Sequence, residues 1–401
     1  LAKYYPPAPG GIETHVQTLA RAQADMGLTV KVICVNESSN QGRVAARTKT
    51  VREQDGRVQV IRLGRLFTFA RFDCLHPKFL PNFWAIFEEA YDVVHLHTPN
   101  PTMLIAWLMV GMFASFMGRP KISLVITHHS DIIKQRILKY ALRPVEYLAY
   151  KQAECILTDS NHYVGGSKFL RAFDHKVKVL PLGIDCSTYS QPSVAAQSYA
   201  QKLRERYGST VWLAVGRLVY YKALDVAIKA LAFVPGTLII IGTGPLEREL
   251  RTLAENSGLA KRVIWHSHAN ADELAGAYQA ATALWFPSNV RSEGFGIVQV
   301  EAMASGCPVI NANIPCSGVP WVSRHEQEGL TVPLNNPIAL AQAAQRLLNE
   351  PGLRERLAIA SRERVYKEFD HKTMAQRSLA IYEQLFVDTE TETCLKTLPL
   401  K

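Results

Sequence analysis

The sequence predicts an α/β protein made of two doubly wound, parallel-sheet domains. Three observations lead there. Runs rich in Val, Ile and Leu alternate with helical stretches almost throughout, as βαβ units do. The alternation restarts after a small, polar stretch at 186–197. The chain has 401 residues, 48% hydrophobic and 20% charged, which suits two globular domains with ample cores.

In the first half the strand-like runs are Thr29–Asn36, Val58–Leu63, Asp92–Thr98, Lys121–His128, Glu154–Ser160 and Lys176–Leu182. Helical patterns lie between them at 12–26, 101–117, 134–153 and 161–172. Leu1-Ala2-Lys3 reads as the end of a strand that starts upstream. After the polar stretch, read as a linker, come strands Val211–Gly216, Thr237–Gly242, Arg262–His266, Ala283–Pro287, Pro308–Asn311 and Gly329–Val332. Helices are expected at 222–232, 245–257, 271–281, 297–305 and 336–349, then at 351–367 and 372–386. The expected division is 1–185, 186–370, a helical segment at 371–388 and a frayed polar tail at 389–401. Open α/β sheets bind ligands beyond the carboxyl ends of their strands. The chemistry is therefore expected on strand-end loops facing a central cleft.

Composition narrows the function classes. The seven cysteines show no CxxC pair and no framework spacing. That argues against a disulfide scaffold or structural zinc module and favours a reducing, cytoplasmic setting; no signal-peptide pattern opens the sequence. The formal net charge is +10. Residues 1–185 hold 23 Lys/Arg against 15 Asp/Glu, so most of the surplus lies there. A basic first half suits an anionic partner, or a solvated face that keeps the chain soluble. Met103 to Gly118 carries no charge, but its sixteen residues fall short of a membrane span. It reads as a buried crossover helix. No stretch resembles a nucleic-acid-binding module, so no nucleic-acid partner is expected.

The residues suited to chemistry cluster at strand ends. Gly10-Gly11 precedes a helix, where backbone can approach an anion, although a simple turn explains the pair as well. Arg217 and Lys222 follow a strand and suit a diphosphate, Arg as a fork and Lys as a point charge. Gly242-Thr243-Gly244-Pro245 is a strand-to-helix turn, but neither a Walker loop nor GxGxxG. The strongest local feature is SEGFGIVQVEAMAS at 292–305. Glu301 falls within an apolar helix, where a charge is costly unless paired or ligand-bound. Gly294 and Gly296 aim backbone N–H groups and a helix N-terminus at an anion, and Glu293 beside them suits sugar hydroxyls. Histidines recur at strand ends as His95-x-His97, His128-His129 and His266-x-His268. With no HExxH and no carboxylate at ligand-like spacing apart from Asp131, no metal site is expected. His129 reads instead as a polar group at the cleft.

Six segments together carry a family resemblance: GGIETHV (10–16), THHSD (127–131), PLGID (181–185), VGR-x4-K (215–222), GTGP (242–245) and EGFGIVQVEAMASGCPVI (293–310). In order and spacing they resemble the retaining glycosyltransferases of family GT4, whose GT-B architecture sets two Rossmann-like domains about a cleft. The E-x7-E block is specific, and it argues against an epimerase or phosphorylase.

The resemblance implies a role for each position. Gly10 and Gly11 would lie at the diphosphate and the acceptor. His129, with His128 as the alternative, would orient the donor sugar near its 6-hydroxyl. Arg217 and Lys222 would neutralise the diphosphate, with Gly242 and Gly244 beside the nucleotide. Glu293 would hold the sugar's hydroxyls, with the backbone of Phe295, Gly296 and Ile297 next to it. Glu301 would hold the ribose, and the base would rest near His266. The last helical segment would cross back to the first domain. One departure is Ala223, where the family often has Gly.

The implied reaction transfers a hexose from a nucleotide diphosphate sugar with retention, by front-face attack. It would need no metal ion and no cofactor. The preferred donor is GDP-mannose and the preferred acceptor a glycan or polyprenyl-diphosphate-linked oligosaccharide. The alternative is a small soluble acceptor with a UDP-sugar. Arg62–Leu80 and the helix near 134–151 mix basic and aromatic residues. Arg65, Phe67, Arg71, Lys134 and Arg136 are thus candidates for the acceptor or for an anionic membrane surface, on which the protein would be peripheral.

Overall fold

The computed structural model describes residues 1–8, 10–37, 47–69, 72–131 and 136–397, with backbone alone at 69, 136–141 and 388–397. The chain forms two compact units. One comprises Leu1–Asp159, Ser167–Gly183 and the helix that starts at His371; the other comprises Ser160–Gly166 and Ile184–Asp370.

In the first unit the strands are β1 (Lys31–Val35), β2 (Val51–Asp55), β3 (Val58–Leu63), β4 (Arg65–Phe69), β5 (Phe72–Leu75), β6 (Val93–Thr98), β7 (Ser123–His128), β8 (Cys155–Thr158) and β9 (Val177–Val179). β6 to β9 pair in chain order, all parallel. β1 pairs parallel to β3, and β2 closes that edge antiparallel. Leu1–Lys3 joins the two sets through backbone bonds. Ala2 N donates to Ile33 O (3.0 Å), Val35 N to Lys3 O (2.9 Å) and His97 N to Leu1 O (3.0 Å).

The sequence pattern gives no sign of β2, because VREQD is almost wholly exposed and lacks an apolar face. The hairpin β4–β5 and the Phe79–Glu88 helix also lie in a stretch read only as basic and aromatic. The pattern at 161–172 resolves into a short helix, Asn161–Gly166, and a 3-10 turn, Leu170–Lys176. The short helix packs with the second unit, where Arg291 donates to the Tyr163 carbonyl (3.3 Å).

The uncharged stretch after β6 is a helix, Pro101–Phe116, capped by the Asn100 side chain and linking β6 to β7. It is core along one face only. Met103, Leu104, Trp107 and Leu108 are buried, while Met109, Met112, Phe113 and Met117 are exposed and Phe116 is 86% exposed. No helix among the described residues is long and apolar enough to cross a membrane.

The second unit carries one parallel sheet in the order β12-β11-β10-β13-β14-β15. The strands are β10 (Val211–Val215), β11 (Thr237–Ile241), β12 (Val263–His266), β13 (Ala283–Phe286), β14 (Val309–Ala312) and β15 (Gly329–Val332). Sequences such as VWLAV, TLIII and ALWF are apolar on both faces because helices cover both. Trp212 and Trp285 stack at 5.0 Å between ring centroids in this core. The expected linker is instead structured. Ser193 caps a helix, Val194–Tyr207, that packs on the Ala271–Ala280 helix. Strand order reverses at β10 and β13, so the loops after these two strands share the ligand-binding crevice of such sheets.

The C-terminal helix runs His371–Thr397, beyond the point where the apolar pattern stops. Met374, Tyr382 and Leu385 join Leu19, Val125, Leu157 and Leu180 in one core of the first unit. Gln23 donates to Ser378 Oγ (2.9 Å) beside that contact.

Asn311 on β14 fastens the Ile297–Ser305 helix. Fully buried, it donates from Nδ2 to Gln299 Oε1 (3.0 Å), Ser323 O (2.9 Å) and Val319 O (3.2 Å). Asn311→Ala takes this donor from Gln299 Oε1 and Ser323 O, while Val319 O keeps its bond from Gln299 Nε2 (3.4 Å). Urea titration is expected to show a loss of about 2–3 kcal/mol.

Candidate active site

The reversal at β10 and β13 brings together two residues far apart in sequence. β10 is followed by Gly216, whose φ of +138° suits glycine, and then by Arg217. A 3-10 turn, Tyr220–Lys222, then presents Lys222. The loop after β13 presents Glu293. Lys222 Nζ lies 2.6 Å from Glu293 Oε2, and both side chains are only 13% exposed. Ser288 Oγ donates to the same carboxylate at 3.4 Å. Lys222 Nζ also sits 4.7 Å from the Phe286 ring centroid. Ala223 takes the left-handed conformation (φ 47°, ψ 41°) that glycine adopts more easily.

The Glu293 loop is pinned from behind. Ser317 Oγ donates to Glu293 O (2.6 Å), and Gly318 N donates to Gly294 O (2.8 Å). A Cβ on Gly296 would fall 2.6 Å from the Phe286 ring. Gly296 opens the Ile297–Ser305 helix, whose first N–H groups have no intrahelical acceptor and suit an anion. Phe295 is buried against Trp321 and Phe369, so its side chain anchors the loop and only its backbone can face a ligand.

Glu301 answers the question its sequence position raised. It is buried and accepts hydrogen bonds from Tyr278 (2.7 Å) and Tyr189. Burial raises its carboxyl above the usual range, against the pull of the tyrosine hydroxyls and Lys222. Arg217 is exposed at the end of β10. Gly242 and Gly244 are required by the neighbouring loop. A Cβ on Gly242 would lie 2.1 Å from Gly216 O, and one on Gly244 2.4 Å from Leu218 O. His266 ends β12, and its Nε2 is buried with no hydrogen-bond partner among the described residues.

The first unit places His128 and His129 in different surroundings. His128 Nδ1 lies 2.7 Å from Tyr150 OH and Nε2 3.2 Å from Asp131, in a small pocket with Arg143, Glu146 and Phe169. His129 Nε2 faces His97 Nδ1 at 3.1 Å, and His129 Nδ1 faces Asp159 Oδ1 at 3.6 Å. His15, from the buried face of the Gly11–Asp25 helix, packs edge-on against His97 and His129. Burial and neighbouring imidazoles hold His15 and His97 well below the usual imidazole pKa. Gly10 and Gly11 open that helix. A Cβ on Gly10 would lie 2.1 Å from the Glu13 carboxylate, so the glycine makes room for that side chain. Burial raises the Glu13 pKa.

Among the acceptor candidates, Arg65 must be corrected. It is buried and ion-paired with Asp73 at 3.3 Å, because the hairpin folds Asp73 back onto it. Phe67 is exposed. Arg71 and Lys134 lie outside the described residues, as does the side chain of Arg136. Sequence reasoning assigned no site role to His15, His97 or Asp159. His15 on an apolar helix face looks like a core residue, and only the order of helix and strands gathers the three.

The raised Glu301 pKa gives a pH signature. The folded chain holds this proton to higher pH than the unfolded chain. Glu301's contribution to stability is therefore full below the unfolded pKa and falls as pH rises through the folded one. Glu301→Gln removes that loss. Thermal melts should place the variant above wild type at about pH 8, converging at about pH 4 and below. A variant less stable than wild type across that range would refute this.

Comparison with known proteins finds a matching family for each half of the chain. The family described as Glycosyltransferase Family 4 matches residues 9–188, and that described as Glycosyl transferases group 1 matches residues 196–364. O-antigen chain mannosyltransferase C of Escherichia coli is 29% identical over 382 residues, 95% of this chain and 96% of that protein. D-rhamnosyltransferase WbpZ of Pseudomonas aeruginosa is 33% identical over 260 residues, 65% of each. Among solved structures, sucrose-phosphate synthase from Thermosynechococcus elongatus superposes with a TM-score of 0.76 at 24% identity, over 96% of this chain and 98% of that one.

Proposed function

Because the chain belongs to the family 4 glycosyltransferases, of GT-B fold, we propose that it moves a hexose with retention from a nucleotide diphosphate sugar to a glycan or lipid-linked glycan. The observation that carries this reading is the Lys222–Glu293 pair at the β10–β13 reversal. It sets a cation for the leaving diphosphate beside a carboxylate for the sugar's hydroxyls.

Departure of the nucleotide diphosphate develops about two negative charges. Lys222, Arg217 and the N-terminus of the Ile297–Ser305 helix supply preorganised positive potential for them. We assign the charge-neutralising role to these groups, and no step is routed through a metal ion or cofactor. In the front-face step, the acceptor oxygen bonds to the anomeric carbon on the side that the phosphate leaves. The acceptor proton passes to the departing phosphate oxygen. Glu293 holds the transferred sugar, His129 orients it, Glu301 takes the ribose hydroxyls, and the base rests near His266.

GDP-mannose is the donor we favour, in keeping with the name of the Escherichia coli relative. For the acceptor, the exposed Met109, Met112, Phe113, Phe116 and Met117 form an apolar helix end, with exposed Arg119 and Lys121 just beyond. Apolar residues rimmed by cations suit an anionic lipid surface. This supports a lipid-linked acceptor and a peripheral, cytoplasmic-face location. A small soluble acceptor with a UDP-sugar is the second reading, favoured by the fold shared with sucrose-phosphate synthase.

Donor hydrolysis and thermal shift against GDP-, UDP-, ADP- and dTDP-sugars, with and without EDTA, test the donor. GDP-mannose is expected to stabilise the protein regardless of EDTA. Stabilisation by a UDP-sugar alone would replace that donor with the second reading's. Glu293→Gln and Lys222→Met are each expected to lower the transfer rate about 100- to 1,000-fold. Normal turnover in either would overturn the assignment. Phe113→Ser with Phe116→Ser should reduce sedimentation with anionic liposomes at low salt; equal sedimentation would remove the membrane surface.

A further inference from the structure

The interior of the first unit gathers three imidazoles that the transfer reaction does not require together. His15, His97 and His129 are 1%, 5% and 6% exposed. One ring nitrogen from each lies within 4.8 Å of the other two. His97 and His129 stack with centroids 5.4 Å apart, and His15 stands edge-on to both at 5.5 and 5.2 Å.

Two details distinguish this cluster from ordinary core packing. Neither ring nitrogen of His15 has a hydrogen-bond partner among the described residues. A buried polar group left so is unfavourable, and it points to a ligand. Asp159 Oδ1, also buried and without a hydrogen-bond partner, faces His129 Nδ1 at 3.6 Å. A carboxylate on that side favours the tautomer with its proton on Nδ1 and its lone pair on Nε2, the tautomer of many metal-binding imidazoles. Here Nε2 is hydrogen-bonded with His97 Nδ1 at 3.1 Å, a contact an ion would replace. Two nitrogens each about 2.0–2.1 Å from a tetrahedral ion lie roughly 3.3 Å apart.

The chemistry of the donor set selects the ligand. Imidazole nitrogens offer lone pairs to a cation, and the Asp159 carboxylate beside His129 repels an anion. Magnesium and calcium prefer oxygen ligands, whereas imidazole suits zinc and the later first-row ions. We propose that His15, His97 and His129 form a binding site for a divalent zinc-class cation, with Asp159 orienting His129 from behind. Three protein ligands leave a fourth position for water or a substrate atom. A consequence, which rests on the role proposed above for His129, is inhibition. An ion on Nε2 takes that nitrogen from the donor sugar, so bound zinc reversibly blocks transfer.

Cobalt(II), which reports tetrahedral nitrogen coordination by its visible absorption, is the probe. The full chain is stripped with EDTA, dialysed and titrated with cobalt chloride, then with zinc chloride. Expected are one equivalent bound, an intense visible band, and its loss as zinc displaces cobalt. His15→Ala and His97→Ala should each weaken uptake at least 100-fold, and Asp159→Asn about 10- to 100-fold. His162→Ala, at an exposed histidine outside the cluster, should bind as wild type does. Circular dichroism checks each variant's fold, and His15→Asn replaces His15→Ala if the latter does not fold. No stoichiometric uptake by wild type, or equal uptake by the His15 and His97 variants, would overturn the site. Transfer assays with zinc, then EDTA, read the second arm. Binding without inhibition would leave the site standing and count against the role of His129 in transfer.

Discussion

The charge pair of Lys222 and Glu293 constrains the loops that follow β10 and β13. Two ionised groups at 13% exposure are tolerable only if each neutralises the other and their remaining valences are met. The surroundings provide this. Gly216 leaves room for the lysine stem, the Phe286 ring faces the ammonium, and Ser288 reaches the carboxylate. Ser317 and Gly318 then hold the backbone of Glu293 and Gly294, the loop that carries the carboxylate. In the proposed transfer a diphosphate sugar would compete for both partners, offering the lysine its phosphate charge and the glutamate a hydroxyl donor; without it the pair holds the two side chains in place.

The first unit meets burial differently. Its polar interior is largely imidazole and hydroxyl, with His95, Thr127 and Tyr382 linked by hydrogen bonds of 2.6 and 2.7 Å. The carboxylates buried with it are Asp159, beside His129, and Asp73, paired with Arg65.

The parallel strands were legible because both faces are covered, so TLIII and VWLAV read as unbroken apolar runs. β2 was not, since an exposed edge strand needs only backbone pairing and VREQD carries no apolar alternation. Arg65 misled for a related reason. As a sequence feature it is a basic residue among aromatics; only the β4–β5 register brings Asp73 within reach. In the site, glycines and charges at strand ends were visible in SEGFG and VGR-x4-K, because each follows or interrupts an apolar run. That Lys222 and Glu293 touch depends on sheet order, which local pattern does not encode. The histidine cluster is the extreme case, assembled from one helix and two strand ends.

The first unit is discontinuous in sequence, and this orders events during synthesis. The chain leaves that unit at Gly183 and returns to it only at His371. The core around Leu19, Val125 and Leu157 is completed by Met374, Tyr382 and Leu385. While the ribosome is making the intervening stretch, that apolar surface is already made but has nothing to cover it. The sheet of the second unit, by contrast, is complete in the nascent chain before the last helix emerges. That unit is thus completed only after the second, and its apolar seam stays open to other chains until the His371–Thr397 helix has emerged.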